Sequence, residues 1–201
     1  MTGFCFDDLR QYSDTLRSRS GDAVKVRFVE PRDAEPLRNY VRSLSTRSRY
    51  NRFLGAISEL PQTLLERFID IGGAEQFSVV ATMMFDGFET IVGEARYAFH
   101  AETSSIEFGL SIDDRWQGHG IGRALLKNLE CRAASFGAEH VFGDTLRRVD
   151  DRTGPQGRYA FTESPGDWKL VRFEKHVEVA PQEIPCASWR LAATQIAVQA
   201  M

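Results

Sequence analysis

Gln117-Gly118-His119-Gly120-Ile121-Gly122-Arg123-Ala124-Leu125-Leu126 runs a glycine-rich turn straight into an amphipathic helix. Just ahead of it, Ser105-Ile106-Glu107-Phe108-Gly109-Leu110-Ser111-Ile112 reads as a strand. Strand, turn and helix in this order build an anion site. The first helical turn has backbone N–H groups without intrahelical partners and carries the positive end of the helix dipole, and glycines clear side chains from the approach. The helix is expected over Ile121 to Phe136, because Ile121, Ala124, Leu125, Leu129, Ala133 and Phe136 recur at three- and four-residue steps, and Gly137 is its expected C-cap.

Working back toward the N-terminus, Phe77, Val79, Val80 and Ala81 lead to a turn at Asp86-Gly87, and Thr90 to His100 reads as the returning strand of a hairpin. Three helices precede it. The first starts at Pro31 and Asp33 and carries Leu37, Tyr40, Val41 and Leu44; the second covers Arg47 to Leu54; the third runs from Pro61 to about Ile71 and ends at Gly72-Gly73. Val24, Val26, Phe28 and Val29 form a short strand with Lys25 and Arg27 on the alternate face. Residues 1–22 are polar and mixed in charge, which predicts a loosely held arm ahead of a domain over 23–178.

Beyond the long helix, Glu139 to Leu146 and Trp168 to Val177 read as strands, and order resumes after a gap at Tyr159-Ala160-Phe161. The gap, Arg147 to Gly157, is rich in charge, with one aliphatic residue, two glycines and a proline. It cannot be an ordinary core helix, and its abrupt composition suggests a divergent insertion or a local reading-frame disturbance. Residues 179–201 form a tail whose apolar part, Trp189 to Val198, is expected to dock as a helix on the domain or on a second subunit of a homodimer.

A chain of 201 residues suits one domain with some extension. Hydrophobic residues at 42%, charged residues at 26% and a net charge of -3 make no electrostatic case for nucleic acid. Cys5, Cys131 and Cys186 are odd in number and far apart, which supports neither a disulfide framework nor zinc, and His100, His140 and His176 share no ligand spacing. No window approaches the ~20 apolar residues of a membrane span, so a cytoplasmic protein is expected, with no metal and no membrane partner. A Rossmann-type site would need GxGxxG after an early strand with an acidic residue ~20 positions on, and a P-loop would need GxxxxGK[ST]; neither is present.

A hairpin, a strand, a glycine-rich turn, a long helix and another strand, preceded by short helices, resemble the GCN5-related N-acetyltransferase (GNAT) family over roughly residues 24 to 177. Gln117-Gly118-His119-Gly120-Ile121-Gly122 matches that family's signature of glutamine or arginine, two residues, glycine, one residue, glycine or alanine. Ser43-Leu44-Ser45 and Ser48-Arg49-Tyr50-Asn51-Arg52-Phe53 are similar to the acetyltransferase domains of bacterial protein lysine acetyltransferases. The resemblance implies an α/β (α+β) fold with a mixed, mostly antiparallel sheet, and acetyl-CoA as donor to an amine acceptor. It places the donor's pyrophosphate on the backbone of Gln117, Gly118, His119, Gly120, Ile121 and Gly122, with Arg123 beside them. The pantetheine arm would pair with Leu110, Ser111 and Ile112, where the family splays two strands apart. A bulge at the end of that strand would leave such backbone groups free.

Direct acetyl transfer needs a proton acceptor for the amine, a donor to the thioester carbonyl and a proton for the departing thiolate. Glu107 is the candidate base, since the matching strand carries the catalytic glutamate in several family members, and Ile106, Phe108 and Leu110 are expected to raise its pKa by desolvation. A backbone N–H at Leu110 or a neighbour is the expected carbonyl donor. Tyr159 is the candidate acid. Here the chain departs from the family, which continues after the strand matching 139–146 with an asparagine and a tyrosine-bearing helix. That mismatch keeps a second reading open, a non-catalytic acyl-CoA-binding regulatory module. Arg47, Arg49 and Arg52 read as a solvated helix face, with binding of CoA phosphates or of an acidic acceptor as the alternative, and Cys131 reads as a buried structural thiol.

Overall fold

Alternating apolar residues at Val24, Val26 and Phe28 seat the second of eight strands in one sheet, which the computed structural model describes through residues 13–69, 76–135, 138–146, 160–163 and 169–177. The strands are β1 (Ser13–Arg17), β2 (Ala23–Phe28), β3 (Gln76–Phe85), β4 (Phe88–His100), β5 (Ser105–Ile112), β6 (His140–Leu146), β7 (Ala160–Glu163) and β8 (Leu170–His176), in the order β1-β2-β3-β4-β5-β6-β8-β7. Every neighbouring pair is antiparallel except β5 with β6. The sheet is therefore mixed and mostly antiparallel, as expected. Asp86 and Gly87 both have positive φ, 49° and 83°, which suits the tight turn between β3 and β4.

The α-helices among the described residues are α1 (Ala34–Ser43), α2 (Thr46–Phe53), α3 (Gln62–Ile69) and α4 (Ile121–Ser135). They begin or end within a few residues of where periodicity and caps put them. Ser45 caps α2, its hydroxyl accepting the Ser48 N–H at 3.2 Å. α4 buries Ile121, Leu125, Leu129 and Ala133 on one face of the sheet, against Ile106, Phe108 and Val141 among others. Each of the isoleucine and leucine side chains contributes about 1.5–3 kcal/mol on burial. Leu37, Tyr40 and Val41 of α1 and Leu65 and Phe68 of α3 pack with Val80 and Ile91 on the opposite face.

One expectation is corrected. Part of the expected loose arm, Ser13–Arg17, is a strand paired along β2, with Leu16 in the core and Asp14 buried and accepting from Asn128 of α4 at 2.7 Å. Single-sequence patterning missed it because two of its five residues are charged and only Leu16 is apolar. Arg27, read as the alternate face of β2, is also buried: it donates to Asp33 at 2.7 and 2.9 Å and to Glu89 at 3.0 Å from two nitrogens, which joins β2, the turn before α1 and β4. These carboxylates raise the Arg27 pKa, with Asp33 the larger influence, and the Arg27 hydrogen bonds hold Glu89 down to about 2. Gly137, the segment 147–157 and the tail 179–201 lie outside the described residues.

Candidate functional site

The parallel pairing of β5 with β6 extends over only three positions, Ser105 with His140, Ile106 with Val141 and Glu107 with Phe142. Beyond them, among the described residues, β5 pairs with β4 alone and β6 with β8 alone, so the facing edges of Phe108–Ile112 and Gly143–Leu146 diverge without pairing to each other. The splay expected beside Leu110, Ser111 and Ile112 is present. Its cause differs from the expected one: β4 and β5 stay in register throughout, and the sheet's irregularity lies between β3 and β4, at Val92. The free edge of β5 therefore comes from divergence, not from a bulge in β5.

At the open end of the splay, a single 3-10 turn (Asp114–Trp116) leads from β5 into the glycine turn. Gly118 and Gly120 have φ of 78° and 83°, a region that costs residues with a Cβ, so glycine is required for this path. The first backbone bond of α4 runs from the Ala124 N–H to the Gly120 carbonyl, which leaves the amides of Ile121, Gly122 and Arg123 without an intrahelical partner, as at any helix start. Arg123 is exposed. Gln117 is exposed but folds back on the strand: its amide nitrogen donates to the Ile112 carbonyl at 3.0 Å, latching the turn to the end of β5. The His119 ring packs on Trp116 and shares a hydrogen bond with the Gln117 carbonyl at 2.9 Å, while its own carbonyl accepts from the Arg19 N–H. Its side chain thus supports the turn.

Asp114 ties this turn to α2, accepting from Ser45 N–H and hydroxyl at 2.8 and 2.9 Å and from the Ser48 hydroxyl at 2.7 Å. Burial opposes its charge, but those hydrogen bonds outweigh it and the pKa is lowered. As a result α2 lies across the splay, against both β5 and β6.

Side chains alternate along β5. Ile106, Phe108 and Ile112 enter the α4-side core, with Leu110 packed on its margin; Glu107, Gly109 and Ser111 face the α1–α2 side. Glu107 stands at the crotch of the splay, 54% exposed, with His100 Nε2 3.6 Å from its carboxylate. The desolvation expected from Ile106, Phe108 and Leu110 is not available, because strand geometry sends those side chains to the opposite face. His100, Glu102, Glu107, His140, Phe142 and Glu174 instead line an open cleft of about 640 Å³. Arg172 also borders it, its guanidinium 4.3 Å from the Phe142 ring centroid and paired with Asp144 at 2.9 and 3.0 Å. The histidines read as scattered are partly gathered here: His140 and His176 sit opposite each other on β6 and β8, with ring centroids 3.9 Å apart. Among the described residues no group of three or more potential ligands could hold a metal, and no helix is long and apolar enough to cross a membrane. Tyr159 lies outside the described residues.

Sequence reading missed a buried polar chain under α1 and α2. Glu94, 1% exposed, accepts from the Ser111 hydroxyl at 2.7 Å and from two nitrogens of Arg52; the Ser111 hydroxyl also meets the Tyr40 hydroxyl at 2.9 Å. Burial, and then the charge of Glu94, push the Tyr40 pKa well up. Arg52 was read as solvated, yet its side chain is 12% exposed; Arg49 likewise turns inward, donating to the Ile57 and Arg42 carbonyls at 3.1 and 3.0 Å. The available signal was Glu94 itself, a lone charge within the otherwise apolar run Ile91-Val92-Gly93-Glu94-Ala95.

Residues 41–148 match the model of the family described as Acetyltransferase (GNAT) family. Over 109 residues the chain is 34% identical to a curated acetyltransferase of Pseudomonas aeruginosa, an alignment that covers 54% of this chain and 59% of that relative. The chain thus matches well under two thirds of the relative's length. Among solved structures, the GNAT domain of S. lividans PAT superposes with a TM-score of 0.70 at 21% identity, covering 82% of this chain and 96% of that one. Mycobacterium smegmatis RimJ, solved in complex with CoA-disulfide, gives 0.59 at 17% identity, covering 92% and 95%. At these identities the two structures speak for the fold.

Proposed function

This chain belongs to the Acetyltransferase (GNAT) family, and we propose that it moves the acetyl group of acetyl-CoA directly onto a primary amine, a protein lysine or a small-molecule amine. One juxtaposition carries the reading: an unpaired edge of β5 runs from a glycine-cleared helix start to a carboxylate at the crotch of a splay. The amides of Gly118 to Arg123 suit a pyrophosphate, and the edge of Leu110, Ser111 and Ile112 suits an arm that contains amides. These residues fit the donor.

In the proposed reaction, Glu107 accepts a proton from the ammonium form of the acceptor, the amine nitrogen bonds to the thioester carbon, and the Leu110 N–H donates to the carbonyl oxygen as charge gathers there. The carbon–sulfur bond then breaks, the thiolate takes a proton, for which Tyr159 remains the proposed donor, and the excess proton on the new amide nitrogen leaves to water, from which Tyr159 is reprotonated. Three carboxylates around the cleft, Glu102, Glu107 and Glu174, favour a positively charged acceptor over an anionic one.

Calorimetry with acetyl-CoA and CoA-release assays over a panel of lysine peptides and small amines test the reading together. Saturable binding with turnover on at least one amine is the expected result. Binding without turnover on any member would favour the regulatory module suggested by the mismatched segment 147–157, and no binding at millimolar acetyl-CoA would end both readings.

A further inference from the structure

The last turn of α2 carries Arg52 over the splay, since α2 lies against both β5 and β6. Nε and Nη2 of Arg52 donate to the two carboxylate oxygens of Glu94, the latter at 3.0 Å. Glu94 is held in turn by Ser111, and Ser111 by Tyr40. Two of the three guanidinium nitrogens are thereby fixed. The third, Nη1, has no hydrogen-bond partner among the described residues. It lies over Gly109, 2.6 Å from where a Cβ would stand, with Cζ at 3.1 Å. Gly109 directly precedes Leu110 and follows Glu107, the last β5 residue paired with β6, by two positions. The absent side chain at 109 is what lets a cationic donor rest against the backbone at the mouth of the splay. Burial opposes the charge of Arg52, but Glu94 more than offsets it and the guanidinium stays protonated.

We propose that Arg52 is a catalytic residue, a second donor to the thioester carbonyl oxygen beside the Leu110 N–H; this rests on the acetyl-transfer reading above. Its Nη1 stabilises the negative charge that forms on that oxygen as the nitrogen–carbon bond is made, and is released when the charge collapses to break the carbon–sulfur bond. Arg52 neither gains nor loses a proton. A donor already clamped by a buried carboxylate needs no reorganisation during the reaction, the condition under which such groups contribute most.

Arg52→Lys tests this, because an ammonium can still pair with Glu94 but has no second nitrogen to place over Gly109. Wild type is expected to bind acetyl-CoA several-fold more tightly than CoA by calorimetry. Arg52→Lys should bind CoA as wild type does, lose that preference, and show a kcat lower by about a hundredfold with KM for acetyl-CoA little changed. A merely structural arginine would shift the urea midpoint and leave the preference alone. Should the lysine variant not fold, the double variant Arg52→Gln with Glu94→Gln removes both charges together and is expected to show the same loss. A folded variant that keeps the preference for acetyl-CoA and turns over within about twofold of wild type overturns the role of Arg52. If wild type binds acetyl-CoA but acetylates no amine, the acetyl-transfer reading fails by itself, and the ratio of acetyl-CoA to CoA affinity still decides whether Arg52 reaches the carbonyl.

Discussion

The two faces of β5 do different work. Toward α4, Ile106, Phe108 and Ile112 join an apolar cluster that any helix of the right period can complete. Toward α1 and α2, Gly109 makes room for Arg52 and Ser111 meets Glu94 and Tyr40, through hydrogen bonds and the Arg52–Glu94 ion pair with specific geometry, while Glu107 on the same face pairs with His100. Hydrophobic burial is non-directional and tolerates approximate fits, whereas a buried charge must find its partner or destabilise the fold. One strand therefore combines a face that stabilises and a face that fixes chemical groups beside the splay.

The largest effect should come from breaking the polar face. Glu94→Ala leaves the Arg52 guanidinium buried without its counter-ion, and a loss of about 3–5 kcal/mol is expected in urea unfolding; a loss under about 1 kcal/mol would mean that water reaches the pair. Glu107→Gln, on the same face but exposed and paired with His100, should leave stability within about 0.5 kcal/mol while lowering kcat about a hundredfold. An unchanged kcat would remove Glu107 as the base. Gly120→Val tests the turn that ends this edge: the positive φ makes a Cβ costly by about 1–2 kcal/mol, and acetyl-CoA affinity should fall about tenfold or more as the backbone shifts. Equal affinity in calorimetry would place the phosphates elsewhere.

The smallest effect lies away from β5, at the Arg27 clamp. Glu89 titrates at about 2 in the fold against an ordinary 4.5, so its contribution is complete above about pH 4.5 and is lost as the pH falls toward 2. Glu89→Gln should lower stability at pH 7 by on the order of 1–2 kcal/mol and flatten the acid limb of the stability curve between those limits. A variant whose acid limb matches wild type would show that another carboxylate governs it.

Much of the fold was legible because it is written in local periods. The three- and four-residue steps from Ile121 predicted α4, Asp86-Gly87 predicted the hairpin, and the order of strand, glycine turn and helix matches the path from β5 into α4. Glu107, Leu110, Ser111 and Ile112 were placed on the right strand for the same reason. The Glu107 environment was misjudged because adjacent residues in a strand point to opposite faces, so its apolar neighbours do not surround it.

What the sequence by itself determined was the type of the elements with a clear local period, β1 excepted, and the face each residue takes relative to its own neighbours, since those follow from backbone geometry over a few residues. What only the tertiary structure decided was which faces meet. The β3–β4 irregularity at Val92 puts Ile91 and Glu94 on the same side of the sheet despite their odd spacing. Arg52 meets Glu94 across 42 residues of chain, Tyr40 meets Ser111 across 71, and Asn128 meets Asp14 across 114. No local pattern encodes such pairs, because the energy that selects them exists only once the sheet has assembled and removed both partners from water.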